Sequence, residues 1–121
     1  MTTLPAVLRG YLLDERQLAQ LALEHTLEEI GRLTGRDTMY DRALILSGQQ
    51  SHRFEHALLI AVLRLYCMVD DGLIAKLLSV HAEDVARISR AFMAHAACEP
   101  ATRKLVSDLR SELDPYSLPI G

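Results

Sequence analysis

Residues 71–97 read DGLIAKLLSVHAEDVARISRAFMAHAA, and the spacing within them decides the fold. Two runs with apolar residues three and four apart meet at Leu78-Ser79-Val80, which is the periodicity of a helix-turn-helix. Ile74, Leu78, Val80, Val85 and Ile88 fall where such a unit needs its own small core, and Ala75 where its helices must approach closely. The second helix would then face outward, as a reading element for a DNA major groove. It opens, however, on His81, Ala82, Glu83 and Asp84, where a duplex reader normally carries cations. Spacing favours DNA, and the charge at that end opposes it.

Outward from this unit the chain keeps helical periodicity and shows no strand pattern, since Leu and Ala far outnumber β-branched residues. A first helix is predicted over about 14–33, with Asp14 as N-cap, Gln17 at the capping-box position and Gly35 as stop. Its apolar stripe is read as Leu18, Leu21, Ala22, Ile30 and Leu33. A shorter helix covers 39–46, ahead of the polar break Ser47-Gly48-Gln49-Gln50-Ser51. Residues 52–68 form the most hydrophobic helix, apolar on every face after Ala57, and so the buried centre. Asp70-Asp71-Gly72 turns into the helix-turn-helix, and Glu99-Pro100 ends it. A last helix over 101–113 presents Leu105, Val106, Leu109 and Leu113, and 114–121 is a tail. The expectation is an all-α, single-domain bundle of five or six helices over residues 1–121. Its N-terminal helices occupy 14–51, and its helix-turn-helix core occupies 52–113.

With 121 residues, half of them hydrophobic and 24% charged, the chain can bury a core without disulfides or metals. A net charge of -3 supplies no bulk attraction to phosphate backbones or anionic membranes, so any nucleic-acid contact needs a local basic face. Cys67 and Cys98 lie in apolar helical sequence without ligand spacing and read as free buried thiols. The beginning lacks the pattern of a signal peptide, and the apolar run 57–69 is interrupted by Arg64 and too short for a bilayer. The expected location is the cytoplasm, with no membrane contact.

His52-Arg53-Phe54-Glu55-His56 matches H-x-x-E-H, and two histidines four apart on a helix can share a metal. No third ligand stands out, so these are read as polar residues on the exposed first turn of a buried helix, with no metal and no cofactor. No nucleophile elbow, phosphate-cradling glycine loop or Cys/His pair is present, so no enzyme is expected. Met39, Tyr40, Leu44 and Leu46 read as core, with an exposed partner-binding patch as the other option.

The stretch DVARISRAFMAHAACEPATRKLVSDLRSEL, residues 84–113, resembles the DNA-binding fourth domain of the bacterial replication initiator DnaA. Val85, Arg90, Pro100, Arg103, Val106, Leu109 and Leu113 stand where that domain's reading helix, acidic-Pro break and final helix place similar residues. His52-Arg53-Phe54 followed by Ile60-Ala61 resembles its basic start and long buried helix, so the likeness covers roughly 52–113. It implies a Trp-repressor-like helix-turn-helix. The family's signature loop carries a Gly followed by an Arg-Asp-His-Ser/Thr-Thr-Val run; here Ser79 through Val85 stand instead, and only Val85 is kept. The guanine-gripping Arg and the phosphate-binding hydroxyls are missing, and Leu58 and Leu59 replace a basic Arg-Gln pair. A second stretch, residues 29–37, also carries the family's Gly-Arg-Asp at 35–37 but lacks the following Thr-Val. Its neighbourhood supplies Arg32, Arg36 and Arg42 as a candidate basic face.

By resemblance, the expected function is a small regulator of DNA replication or transcription that binds duplex DNA weakly or through altered contacts. Arg87 and Arg90, three apart on one helix face, would contact the backbone, assisted by His81, His52 and Arg53, with Arg103 and Lys104 nearby. The alternative is a non-catalytic helical adaptor, binding a protein partner or a second copy without touching DNA.

Overall fold

The computed structural model describes residues 14–113. Among the described residues there are six α-helices and no strand: α1 (Glu15–Thr34), α2 (Arg42–Leu46), α3 (Arg53–Leu65), α4 (Asp71–Leu78), α5 (Ala82–Cys98) and α6 (Pro100–Leu113). A single 3-10 turn, Gln50–His52, leads into α3. The predicted tail at 114–121 lies outside the described residues.

The helices begin and end where local chemistry directs. Asp14 accepts a hydrogen bond from the Gln17 amide at 2.8 Å, and Gln17 returns one to the Asp14 amide at 3.0 Å, closing the predicted capping box. Gly35 ends α1 at φ 74°, its N–H donating to the Gly31 carbonyl. Gly31 is required for a different reason: a Cβ there would lie 2.8 Å from the Arg36 carbonyl oxygen, where the chain folds back. Pro100 is the first residue of α6, where its missing N–H leaves no bond unmade, rather than a break before Ala101.

The core centres on α3, which touches every other helix. Leu58 to Leu63 are all fully buried, as expected of a helix apolar on every face. Ile74, Leu78 and Val85 are fully buried beside it, Ala75 is nearly so, and Val80 and Ile88 pack against the same cluster. The helix-turn-helix therefore has the interior its spacing demanded. Phe54 and Phe92 meet edge to face at 5.4 Å between centroids, joining the start of α3 to the second half of α5.

Several expectations need correction. The stripe of α1 runs through Ala19, Leu23, Leu27 and Ile30, whereas Leu21 is exposed; with leucines on several faces, packing against α3 and α6 selects the one that is buried. Residues 39–41 precede α2 as a turn, with Met39, Tyr40 and Leu44 exposed and only Leu46 against the core. Cys98 is exposed on α5, and only Cys67 fits the buried reading.

Candidate functional site

Helices α4 and α5 are joined by the three residues Ser79, Val80 and His81, which also frame the candidate site. Ser79 adopts the left-handed conformation, φ 56° and ψ 44°, and its N–H donates to the Ala75 carbonyl. Only glycine reaches that region without cost. The backbone thus keeps the turn that a glycine would make, although a serine occupies it. His56 donates from Nε2 to the Leu78 carbonyl at 2.7 Å, which ties α3 to the last turn of α4 and fixes where α5 begins.

Along α5, Val85, Ser89, Phe92 and Ala96 face inward, while Glu83, Arg87, Arg90 and Ala94 form an outward ridge at helical spacing. Arg87 and Arg90 therefore share an exposed face, as their spacing predicts. The Arg87 guanidinium is drawn to Asp84, with Nη2 3.2 Å from Oδ1. Arg90 has no ion-pair partner among the described residues. His81 is exposed and supplies the N-cap backbone of α5, but its side chain makes no capping bond.

Carboxylates stand at both helix N-termini of the unit. In α4, Asp70 accepts from the Gly72 amide at 2.9 Å, and Asp71 pairs with Arg64 at 3.1 Å. In α5, Glu83 and Asp84 occupy the first turn. A helix N-terminus attracts anions; the Asp70 carboxylate caps that of α4, and the first turn of α5 adds the negative charge of Glu83 and Asp84. Between Asp70 and Arg90, four carboxylates outnumber the cations Lys76, Arg87 and Arg90.

The other expected site residues are scattered. Arg53 opens α3, exposed and without a partner among the described residues. His52 is only 7% exposed, its Nε2 3.3 Å from Asp41 and its Nδ1 2.9 Å from the Ser51 hydroxyl, so it offers no free edge to a duplex. Glu55 is also buried and pairs with Arg36. The H-x-x-E-H residues are thus tied to Asp41, Arg36 and Leu78 rather than standing free on an exposed first turn. No group of His, Cys, Asp and Glu suited to a metal occurs among the described residues.

The candidate basic face of Arg32, Arg36 and Arg42 is spent internally. Arg32 bridges Glu29 at 2.7 Å and Glu112 at 3.3 Å, joining α1 to α6. Arg42 clasps Glu24 across α1 and α2, holding the Glu24 carboxyl below its ordinary range through that hydrogen bond. Of these contacts, only Arg32–Glu29 has a spacing legible in sequence; the rest depend on how the helices pack. On α6, Lys104 pairs with Asp108 at 2.9 Å, while Arg103 is exposed.

A shallow notch of about 390 Å³ is lined by Leu33, Phe54, Leu105, Glu99, Lys104 and Asp108 among others. Its Glu99 carboxylate accepts a hydrogen bond from Thr102, and its Asp108 carboxylate accepts one from Lys104. Met39, Tyr40 and Leu44, read from sequence as core with an exposed patch as the other option, are exposed, and so is Leu21 on α1. The short tract ahead of Gly48 was the available signal, because so brief a helix has little surface to bury.

Comparison of the chain with family models, with curated proteins and with solved structures finds no match. No helix of the described residues is long and apolar enough to cross a membrane.

Proposed function

We propose that the chain is a non-catalytic regulator of DNA replication or transcription that acts by holding a protein partner. The link to replication or transcription comes from the likeness of residues 52–113 to the initiator's DNA-binding domain. The choice of a protein over DNA rests on one observation: both N-termini of the helix-turn-helix carry their own carboxylates, Asp70 and Asp71 on α4, Glu83 and Asp84 on α5. A duplex brought to that surface meets like charge before it meets Arg87 or Arg90.

A second reading, weak and sequence-independent duplex binding, is favoured by Arg90 and Arg53, both exposed and unpaired among the described residues. Arg87 and His81 would assist. Titration of a labelled random-sequence duplex separates the two. The protein reading expects no saturable binding at about 50 mM salt, a condition under which phosphate-neutralising proteins bind far more tightly than at physiological salt. It also expects Glu83→Lys with Asp84→Lys to create salt-sensitive binding, because on this reading it is the charge of those two carboxylates that opposes contact in the unaltered chain. Micromolar binding by the unaltered chain that falls steeply with salt and is weakened by Arg90→Ala would instead establish the DNA reading.

A further inference from the structure

We infer that Ser51 is a primed nucleophile that accepts an acyl group from an activated ester, with His52 as its base and Asp41 positioning that base. The three side chains form one line of contacts. The Ser51 hydroxyl lies 2.9 Å from His52 Nδ1, and His52 Nε2 lies 3.3 Å from Asp41 Oδ2. A carboxylate has no proton to give, so in the neutral imidazole the nitrogen facing it carries the proton. Nδ1 then keeps its lone pair, and the Ser51 hydroxyl donates to it. That arrangement supplies what a serine otherwise lacks, an adjacent base held in place by a third group.

Placement of the three residues suits the same chemistry. Ser51 is exposed and open to a donor from solvent, whereas His52 is 7% exposed and its ring is held on both edges. Asp41 stands at the N-cap position of α2 without making a capping bond, and its carboxylate faces His52 instead. Ser51 and His52 share the 3-10 turn before α3, so the packing of α2 on α3 completes the line. Ser79 and Ser107 are exposed as well, but neither hydroxyl meets a histidine among the described residues. In the transfer, Ser51 Oγ bonds to the carbonyl carbon as its proton passes to Nδ1. The bond from that carbon to the alcohol oxygen breaks, and the departing alkoxide takes the proton. The acyl group stays on Ser51, so the chain is the acceptor in a single transfer. This goes beyond the partner-holding reading and does not depend on it.

The test uses the full chain with Cys98→Ser, which removes the exposed thiol, and para-nitrophenyl acetate as the donor. Peptide mass spectrometry follows acetylation of each serine with time, and hydroxylamine separates labile serine esters from stable lysine amides. Ser51 is expected to acetylate about a hundredfold faster than Ser79 or Ser107, the scale of general-base assistance. His52→Gln should remove most of that advantage. Asp41→Asn should reduce it and Asp41→Glu restore it, a pattern that a purely structural Asp41 would not give. Melting curves accompany each variant. Should His52→Gln unfold, the partly exposed Asp41 pair decides by itself. Equal rates at Ser51, Ser79 and Ser107, acetyl groups found on lysines alone, or a Ser51 rate unchanged by the His52 and Asp41 variants would each overturn the inference.

Discussion

Ser89 is 1% exposed on the inward face of α5, and its hydroxyl meets no hydrogen-bond partner among the described residues. A buried hydroxyl without a partner forfeits its hydration for nothing in return. Ser89→Ala is therefore expected to raise stability by about 1 kcal/mol, read as a higher urea midpoint with unchanged slope. The two thiols should part company just as clearly. Burial pushes the Cys67 thiol up to about 11, while Cys98 is exposed. Native chain at pH 8 should label rapidly at Cys98 and resist at Cys67 until unfolded. The buried thiol prefers its neutral form, so its share of stability is whole below the ordinary thiol range and is lost as pH rises toward 11. At this scale sequence spoke unevenly. Spacing alone placed Arg87 and Arg90 on an exposed face, but nothing local showed that His52 would be buried against Asp41 or that Arg36 would be drawn to Glu55.

Among the elements, the turn between α4 and α5 holds the most direct stability test. Ser79 sits at φ 56°, where a side chain is strained and glycine is not. Ser79→Gly should stabilise the chain by roughly 0.5–1 kcal/mol in chemical denaturation. A loss would mean that the hydroxyl, rather than the backbone, holds the turn. Helix existence was legible throughout, because apolar spacing and caps are local: the Asp14–Gln17 box, the Gly35 stop and the six-residue buried run in α3 all appear as read. Which face of α1 is buried was not legible. Leu21 and Leu23 are equally apolar, and only the positions of α3 and α6 decide that Leu23 goes inside.

For the whole molecule, long-range ion pairs join the N-terminal helices to each other and to the rest: Arg36–Glu55 from the loop after α1 to α3, Arg42–Glu24 from α2 to α1, and Arg32–Glu112 from α1 to α6. Because the hydrogen bond from Arg42 holds Glu24 below its usual carboxylate range, its contribution is present above the unfolded carboxyl's range and is lost as pH falls through the folded value. Glu24→Gln should therefore be less stable than the parent at neutral pH and show a shallower loss on acidification, followed by thermal melts from pH 7 to 3. Equal acid slopes in the two proteins would contradict this. By itself the sequence determined the helical class, the order of the helices, the interior of the helix-turn-helix and the carboxylates on its two N-termini, because periodicity, caps and formal charge are properties of short stretches. Only the tertiary structure decided that Arg32, Arg36 and Arg42 are paired within the molecule and that Met39, Tyr40 and Leu44 remain outside. Those outcomes depend on which helices meet, and contacts between residues distant in the chain leave no local period to read.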